Sequence, residues 1–261
     1  MGDVKAIQLD KLSFSYHREE LLKEVSAGLS PGSLNFLLGR NGCGKSTLLR
    51  LISGELKPTS GDIRIFGRSL HTLGSIERAS MIGFLPQHYP MQLPLTVEEV
   101  VLTGRYRFSR LNPSKEDFRA TLAVLEKLEL LHLRTRNLGE LSGGEQQMVM
   151  IARLLAQEPR ILLMDEPLLH LDLSNQVRLA ALLKTLGKEG MTILAVVHDP
   201  GFAMAVGSNI LGLSNGQVEP IRQDDPDSLL TSVLSRIYKT EIDIHRMASG
   251  IPFVSVNLGA L

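Results

Sequence analysis

The chain has 261 residues, 43% of them hydrophobic, enough for one large α/β domain or a core domain with a small insert. Its 28 basic and 28 acidic residues cancel to a formal net charge of zero, which argues against an overall electrostatic footprint for nucleic acid. The single cysteine, Cys43, rules out an intrachain disulfide and fits a reducing compartment, and no stretch approaches the roughly 20 apolar residues that cross a bilayer.

Residues 1–5 lead straight into an alternating apolar/polar pattern over 7–12, so a first strand and no secretory leader are expected. Ser30-Pro31-Gly32-Ser33 predicts a turn, and the apolar run Leu34-Asn35-Phe36-Leu37-Leu38 a buried strand. That strand enters Gly39-Arg40-Asn41-Gly42-Cys43-Gly44-Lys45-Ser46-Thr47, which fills a G-x-x-x-x-G-K-[ST] template. Glycines there let backbone N–H groups close on phosphate oxygens with no Cβ in the way. Lys45 brings positive charge toward β- and γ-phosphates, and the Ser46 hydroxyl suits Mg²⁺. Thr47 is expected to open a helix over 46–52 that ends near Gly54, with an N-terminal dipole that favours anions. Cys43 reads as a small packing residue rather than a redox switch.

Residues 63–65 and 82–85 predict short strands, the second ended by Pro86. The character then becomes helical, with helices expected over 97–105, 114–128 and 143–157; Ser114 reads as an N-cap, with Asp117 three positions on. After Pro159, strand and helix alternate: strand 161–164, helix 175–189, strand 192–197, helix 201–206, strand 210–213. The tail predicts a helix over 227–238 and strands over 241–246 and 252–256. Parallel strands alternating with helices imply an α/β sheet covered by helices. The expected organisation is a core from 1–87 and 160–220, a helical subdomain over 88–159, and a tail, 221–261, packing on the core.

Two further motifs carry chemistry. Ile161-Leu162-Leu163-Met164 delivers Asp165 and Glu166 to the C-terminal end of a buried strand, where α/β sheets bind ligands. Adjacent acids there suit Mg²⁺ at Asp165 and, at Glu166, polarisation of the water that attacks a γ-phosphorus. Leu141-Ser142-Gly143-Gly144-Glu145 stands at the start of a predicted helix, so the Ser142 hydroxyl and the Gly143 and Gly144 N–H groups offer a second anion site. The chain thus holds two phosphate-binding helix starts and one set of Mg²⁺ residues.

In this order the motifs resemble the ATP-binding cassette ATPases over about residues 4–220. The resemblance implies a P-loop NTPase (RecA-like) core with an antiparallel β edge and an inserted α-helical subdomain, and ATP with Mg²⁺ as cofactors. It implies that Tyr16 stacks on adenine, that Gln87 touches Mg²⁺ and water, that His198 holds the γ-phosphate and the attacking water, and that Asp172 lies in a loop crossing a dimer interface. Two copies are expected head to tail, each ATP lying between residues 39–47 of one and 142–145 of the other. Leu168-Leu169 stand where the family often has Thr-Ser, and Met148 where it often has Arg. Neither change removes a catalytic group, so an active ATPase is expected.

Leu95-Thr96-Val97-Glu98-Glu99-Val100-Val101-Leu102-Thr103-Gly104-Arg105-Tyr106 resembles an L-T-V-x-E-x-V-x-x-G-R-Y stretch of importers of iron chelates (siderophores, haem, cobalamin). The tail Ile237-Tyr238-Lys239-Thr240-Glu241-Ile242-Asp243-Ile244-His245 resembles the ends of the same ATPases. This implies a peripheral subunit on the cytoplasmic face of the inner membrane, under a permease dimer that docks near residues 88–110 and is served by a substrate-binding protein. Zinc, manganese or molybdate import, and a soluble ATPase of cofactor assembly, remain alternatives. A DNA-maintenance ATPase is disfavoured because no sustained heptads separate the two phosphate-binding motifs.

Overall fold

The structure is a computed structural model that describes residues 4–17, 19–87, 94–109, 112–169, 171–246 and 250–256. Its centre is a six-stranded sheet in the order β10-β9-β3-β8-β7-β6. These strands are β3 (Leu34–Leu38), β6 (Ile82–Leu85), β7 (Ile161–Asp165), β8 (Thr192–Val196), β9 (Asn209–Ser214) and β10 (Gln217–Ile221). All pairings are parallel except β9 with β10. Beside it lies an antiparallel sheet, β2-β1-β4-β5, from β1 (Ile7–Tyr16), β2 (Glu19–Leu29), β4 (Ser60–Ile65) and β5 (Arg68–Ser69).

The parallel strands read as unbroken apolar runs because both faces are covered. Alternate residues enter different cores. Phe36, Leu38, Leu162, Met164, Ile193 and Ala195 face one cluster, whereas Leu37, Ile161, Leu163, Leu194 and Val196 face the other. The second cluster is closed by the antiparallel sheet and by α1 (Lys45–Ser53). The first is closed by α7 (Leu173–Lys188), α8 (Pro200–Val206), the tail, and the helical part of the chain.

That helical part leaves the sheet at β6 and returns at β7, its parallel neighbour. It contains α3 (Val97–Leu102), α4 (Tyr106–Ser109), α5 (Lys115–Lys127) and α6 (Gly143–Ala156), preceded by α2 (Ser75–Met81) in the core. The helix expected over 97–105 tightens into a 3₁₀ turn at Thr103–Arg105. Gly104 explains the approach there, since a Cβ would lie 2.1 Å from the Arg153 carbonyl oxygen of α6. The Ser114–Asp117 cap on α5 is as expected: the Ser114 backbone and hydroxyl donate to Asp117 Oδ2 at 2.9 and 2.7 Å. Asp117 is also tied to the buried Arg105, whose Nε donates to Oδ1 at 3.1 Å. Met148 is 5% exposed, so this departure from the family pattern packs in the core.

The tail forms α9 (Asp227–Tyr238) and a hairpin of β11 (Ile242–Arg246) with β12 (Pro252–Val256). Leu230, Leu234, Ile237 and Ile242 are buried in the first cluster. Among the described residues no helix is long and apolar enough to cross a membrane.

Candidate functional site

The loop between β3 and α1 forms the floor of a cleft of about 500 Å³. Asn41, Gly42, Gly44, Lys45, Ser46 and Thr47 line it from the loop, Tyr16 from the end of β1, and Gln87, Glu166 and His198 from just beyond β6, β7 and β8. Parallel strands end on one side of their sheet, which is why residues distant in sequence converge there. The helix begins at Lys45, two residues before Thr47, with Gly44 as its N-cap at φ 109°. Glu19 and Leu21 of β2 complete the wall; they were not foreseen, because the charged and apolar residues of β2 do not alternate cleanly.

The Lys45 ammonium is buried and donates to the carbonyls of Gly39 and Arg40 at 2.7 and 2.9 Å. Burial lowers its pKa, and Cys43, Glu166 and Asp165 pull it back up. Its ammonium is thus held against the carbonyls of its own loop at the cleft floor. Arg40, Asn41, Gly42 and Cys43 face a neighbouring depression on the outer side of the loop. Burial raises the Cys43 thiol, which suits packing and not thiolate chemistry.

Glu166 is the centre of the far wall. Its side chain is 12% exposed and takes two partners, Gln87 Nε2 donating to Oε2 at 2.8 Å and His198 Nε2 lying 2.6 Å from Oε1. Three residues from three strand ends therefore meet on one carboxylate. Its backbone is held at φ 55°, in the left-handed region, by Glu166 N–H donating to the Val196 carbonyl and its own carbonyl accepting from Leu169 N–H, both at 3.1 Å. Such a conformation costs about 1–3 kcal/mol and persists where surrounding structure enforces it.

Asp165 lies deeper, 4% exposed. Burial raises its pKa against a hydrogen bond from Ser46. Its Oδ1 is buried with no hydrogen-bond partner. An orphaned carboxylate oxygen beside a serine hydroxyl matches the oxygen ligands of Mg²⁺. Among the described residues no group of three or more His, Cys, Asp or Glu could hold a metal ion. One carboxylate and a hydroxyl are what Mg²⁺ takes when phosphate oxygens supply the rest.

Tyr16 is 43% exposed, its ring braced edge-on by Phe14 at 4.8 Å and 88°. An aromatic face at the cleft rim suits stacking of a base, which is worth roughly 1–3 kcal/mol.

Ser142, Gly143, Gly144, Glu145 and Asp172 do not line this cleft. Ser142 caps α6: its hydroxyl donates to Glu145 Oε2 at 2.7 Å and accepts from Glu145 N–H at 3.3 Å. The Ser142 hydroxyl, and the Ser142 N–H that donates to the same Oε2 at 2.8 Å, hold the Glu145 carboxyl below its ordinary value. Asp172 caps α7, its Oδ1 accepting from Asn175 N–H at 2.8 Å. The capping pattern Ser142-x-x-Glu145 was readable in the sequence, as was Thr96-x-x-Glu99 ahead of α3.

A family model for ABC transporters matches residues 22–169. The chain is 37% identical over 247 residues to the hemin import ATP-binding protein HmuV of Bordetella avium, covering 91% of this chain and 94% of that one. It is 34% identical over 239 residues to the ferric enterobactin transport ATP-binding protein FepC of Escherichia coli strain K12, with 90% and 88% covered. One solved structure, assigned to the metal-chelate type of ABC transporter in an inward-facing conformation, superposes with TM-score 0.83 at 28% identity over 98% of this chain and 100% of that one. A dimeric bacterial ABC transporter cassette superposes with TM-score 0.74 at 32% identity, with 83% and 99% covered.

Proposed function

The chain belongs to the ABC transporter family, and on that premise we propose that it is the ATP-hydrolysing subunit of an importer for an iron chelate, a siderophore or haem. The observation that carries the catalytic part is the meeting of Gln87 and His198 on the Glu166 carboxylate at the end of the Lys45 cleft. The relatives that import hemin and ferric enterobactin, matched over nearly their whole length, support the substrate class.

The chemistry follows from that arrangement. Amides of residues 42–47 and the Lys45 ammonium bind the β- and γ-phosphates of ATP, and Tyr16 stacks on the adenine. Glu166 accepts the proton of the attacking water, and Gln87 and His198 orient that carboxylate and the water. Asp165, Ser46 and Gln87 would hold Mg²⁺, which would supply charge neutralisation for the triphosphate. Ser142, Gly143, Gly144, Glu145 and Asp172 serve the site of a second copy, which accounts for a phosphate-binding helix start that has no lysine of its own. The dimeric cassette that resembles this chain supports that pairing. Closing two copies on ATP surrounds the γ-phosphate with donors and excludes bulk water.

The helical part, 88–159, carries the permease contact. A groove of about 490 Å³ runs between α2, the turn at Thr103–Arg105, α4 and α6, with Ile76 74% and Tyr106 55% exposed beside it. Exposed apolar side chains around a concave surface suit an amphipathic helix from a membrane partner. Residues 88–93 and 110 of the expected docking segment lie outside the described residues. The chain itself is then peripheral at the inner face of the membrane, and a binding protein delivers the chelate.

The test is purification of the tagged chain from native membranes in mild detergent. A permease should accompany it, and ATP hydrolysis by that complex should rise with a haem- or siderophore-loaded binding protein. Stimulation by molybdate, zinc or manganese instead would overturn the substrate class. Recovery only with soluble assembly factors would overturn the transport reading.

A further inference from the structure

The tail reaches the reaction site from behind. α9 buries Leu230, Leu234 and Ile237, one helical stripe, and packs on β9. Gly212 of β9 permits the close approach, since a Cβ there would stand 2.3 Å from Ile237 Cδ1. With that stripe seated, the last residue of α9, Tyr238, falls against the short link between β8 and α8. Its hydroxyl donates to the main-chain carbonyl of His198 at 3.0 Å. Burial pushes the phenol above its ordinary range, and Asp199 and Cys43 add to the shift. The group is therefore a neutral donor at any working pH.

Among the described residues the link's other anchors sit at its two ends, Ala203 N–H donating to the Asp199 carbonyl at 3.2 Å among them. Val197 N–H donates to the Leu37 carbonyl at 3.3 Å on the sheet side, and on the helix side Asp199 Oδ1 accepts from Gly201 N–H at 2.7 Å. His198 stands between them, its imidazole 43% exposed and its Nε2 2.6 Å from Glu166. An imidazole on a three-residue link can swing unless its backbone is fixed, and small displacements of a catalytic group cost large factors in rate.

We propose that Tyr238 is a positioning residue for ATP hydrolysis: by holding the His198 carbonyl it fixes the backbone from which the imidazole reaches Glu166. This makes the C-terminal helix part of the hydrolytic machinery. The proposal rests on the role given to His198 above.

Tyr238→Phe keeps the ring and its packing and removes only the hydroxyl. In the full chain, hydrolysis is followed against ATP concentration, with single-turnover measurements for slow variants. The expected result is a kcat lower by about 3- to 10-fold with KM for ATP unchanged within about twofold, the pattern of an interaction used only in the transition state. On a His198→Ala background the same substitution should cost nothing further. Three results would overturn the proposal: an unchanged kcat, a rise in KM alone, or the same fold loss on both backgrounds. If His198→Ala itself hydrolyses ATP at the native rate, the role of His198 fails and this proposal with it. If His198→Ala is crippled while Tyr238→Phe is normal, only this proposal fails.

Discussion

Glu166→Gln separates chemistry from binding in this site. The substitution keeps side-chain length and volume and leaves acceptor and donor atoms for Gln87 and His198, which now lie 2.8 and 2.6 Å from the two carboxylate oxygens. It removes the charge and the basicity. A positioned general base contributes about 10²–10⁴-fold, which at about 1.4 kcal/mol per decade is roughly 3–6 kcal/mol of barrier. In the proposed mechanism nucleotide binding draws instead on the loop amides and on Lys45, buried and fixed to the Gly39 and Arg40 carbonyls. Its affinity should therefore change by less than about 0.5 kcal/mol, or about twofold. The assay pairs phosphate release at saturating Mg²⁺-ATP with a nucleotide titration, and size-exclusion chromatography in ATP follows the dimer. The expected variant binds ATP normally, accumulates as an ATP-bound dimer in the permease complex, and turns over at least 10²-fold more slowly. A rate within tenfold of native, or a loss of affinity that accounts for the slower rate, would refute Glu166 as the base. A variant that stays monomeric in Mg²⁺-ATP with its permease would refute the composite site.

Two further predictions concern stability. Burial raises the Asp165 carboxyl, so the folded protein binds that proton more tightly than the unfolded chain does, and the associated stability is lost as pH rises from the ordinary carboxylate value through the raised one. Asp165→Asn should abolish this loss, raising Tm at pH 7 by about 2–4 °C for each kcal/mol relieved, with little gain at acid pH, while weakening the Mg²⁺ dependence of ATP binding; a Tm unchanged at both pH values would refute the cost assigned to burying the charged carboxylate. Arg105→Ala leaves Asp117 buried at 4% side-chain exposure without its cation, and denaturant unfolding should register a loss of about 3–5 kcal/mol. A loss under about 1 kcal/mol would show that the Ser114 bonds alone satisfy Asp117.

Much of the fold was legible because its signals are local. The runs at Leu34–Leu38 and Ile161–Asp165 are apolar on both faces and bounded by turn-forming or polar residues, and α9 matches its predicted span, 227–238. The Ser114–Asp117 cap could be read because it closes within four residues. What could not be read depends on tertiary pairing. Strand β2 has exposed charges and register shifts against β1 and gains its order from that pairing, and α2 has no fully buried side chain to mark a face. The turn at Thr103–Arg105 exists because Gly104 meets the α6 backbone at Arg153, far along the chain.

The same division runs through the site. Residue types at fixed spacing marked the Gly39–Thr47 loop, the paired acids and the Ser142 helix start as candidates, because each is one short segment. The left-handed backbone of Glu166, and its contacts with Gln87 and His198, depend on three strand ends meeting, and no window of sequence contains them. The Ser142 hydroxyl makes the point most sharply. Its type and place suggested a phosphate donor, yet it donates to Glu145 within one chain and lies away from the Lys45 cleft. Its backbone neighbours Gly143 and Gly144 remain at the open end of α6, where the helix dipole is positive and no intrahelical acceptor competes. On the proposed head-to-tail pairing, ATP brought by a second copy would meet these N–H groups first. The Ser142 hydroxyl can then exchange its bond to Glu145 for one to the nucleotide only if the phosphate is the better acceptor. Ser142→Ala would remove that exchange and the cap together, whereas Glu145→Gln would weaken the competing bond and leave the hydroxyl. Tighter ATP-driven dimerisation in Glu145→Gln than in native protein, measured by sedimentation, would show that the hydroxyl is released on closure; weaker dimerisation would show that the capping bond must persist and that the backbone alone reads the phosphate.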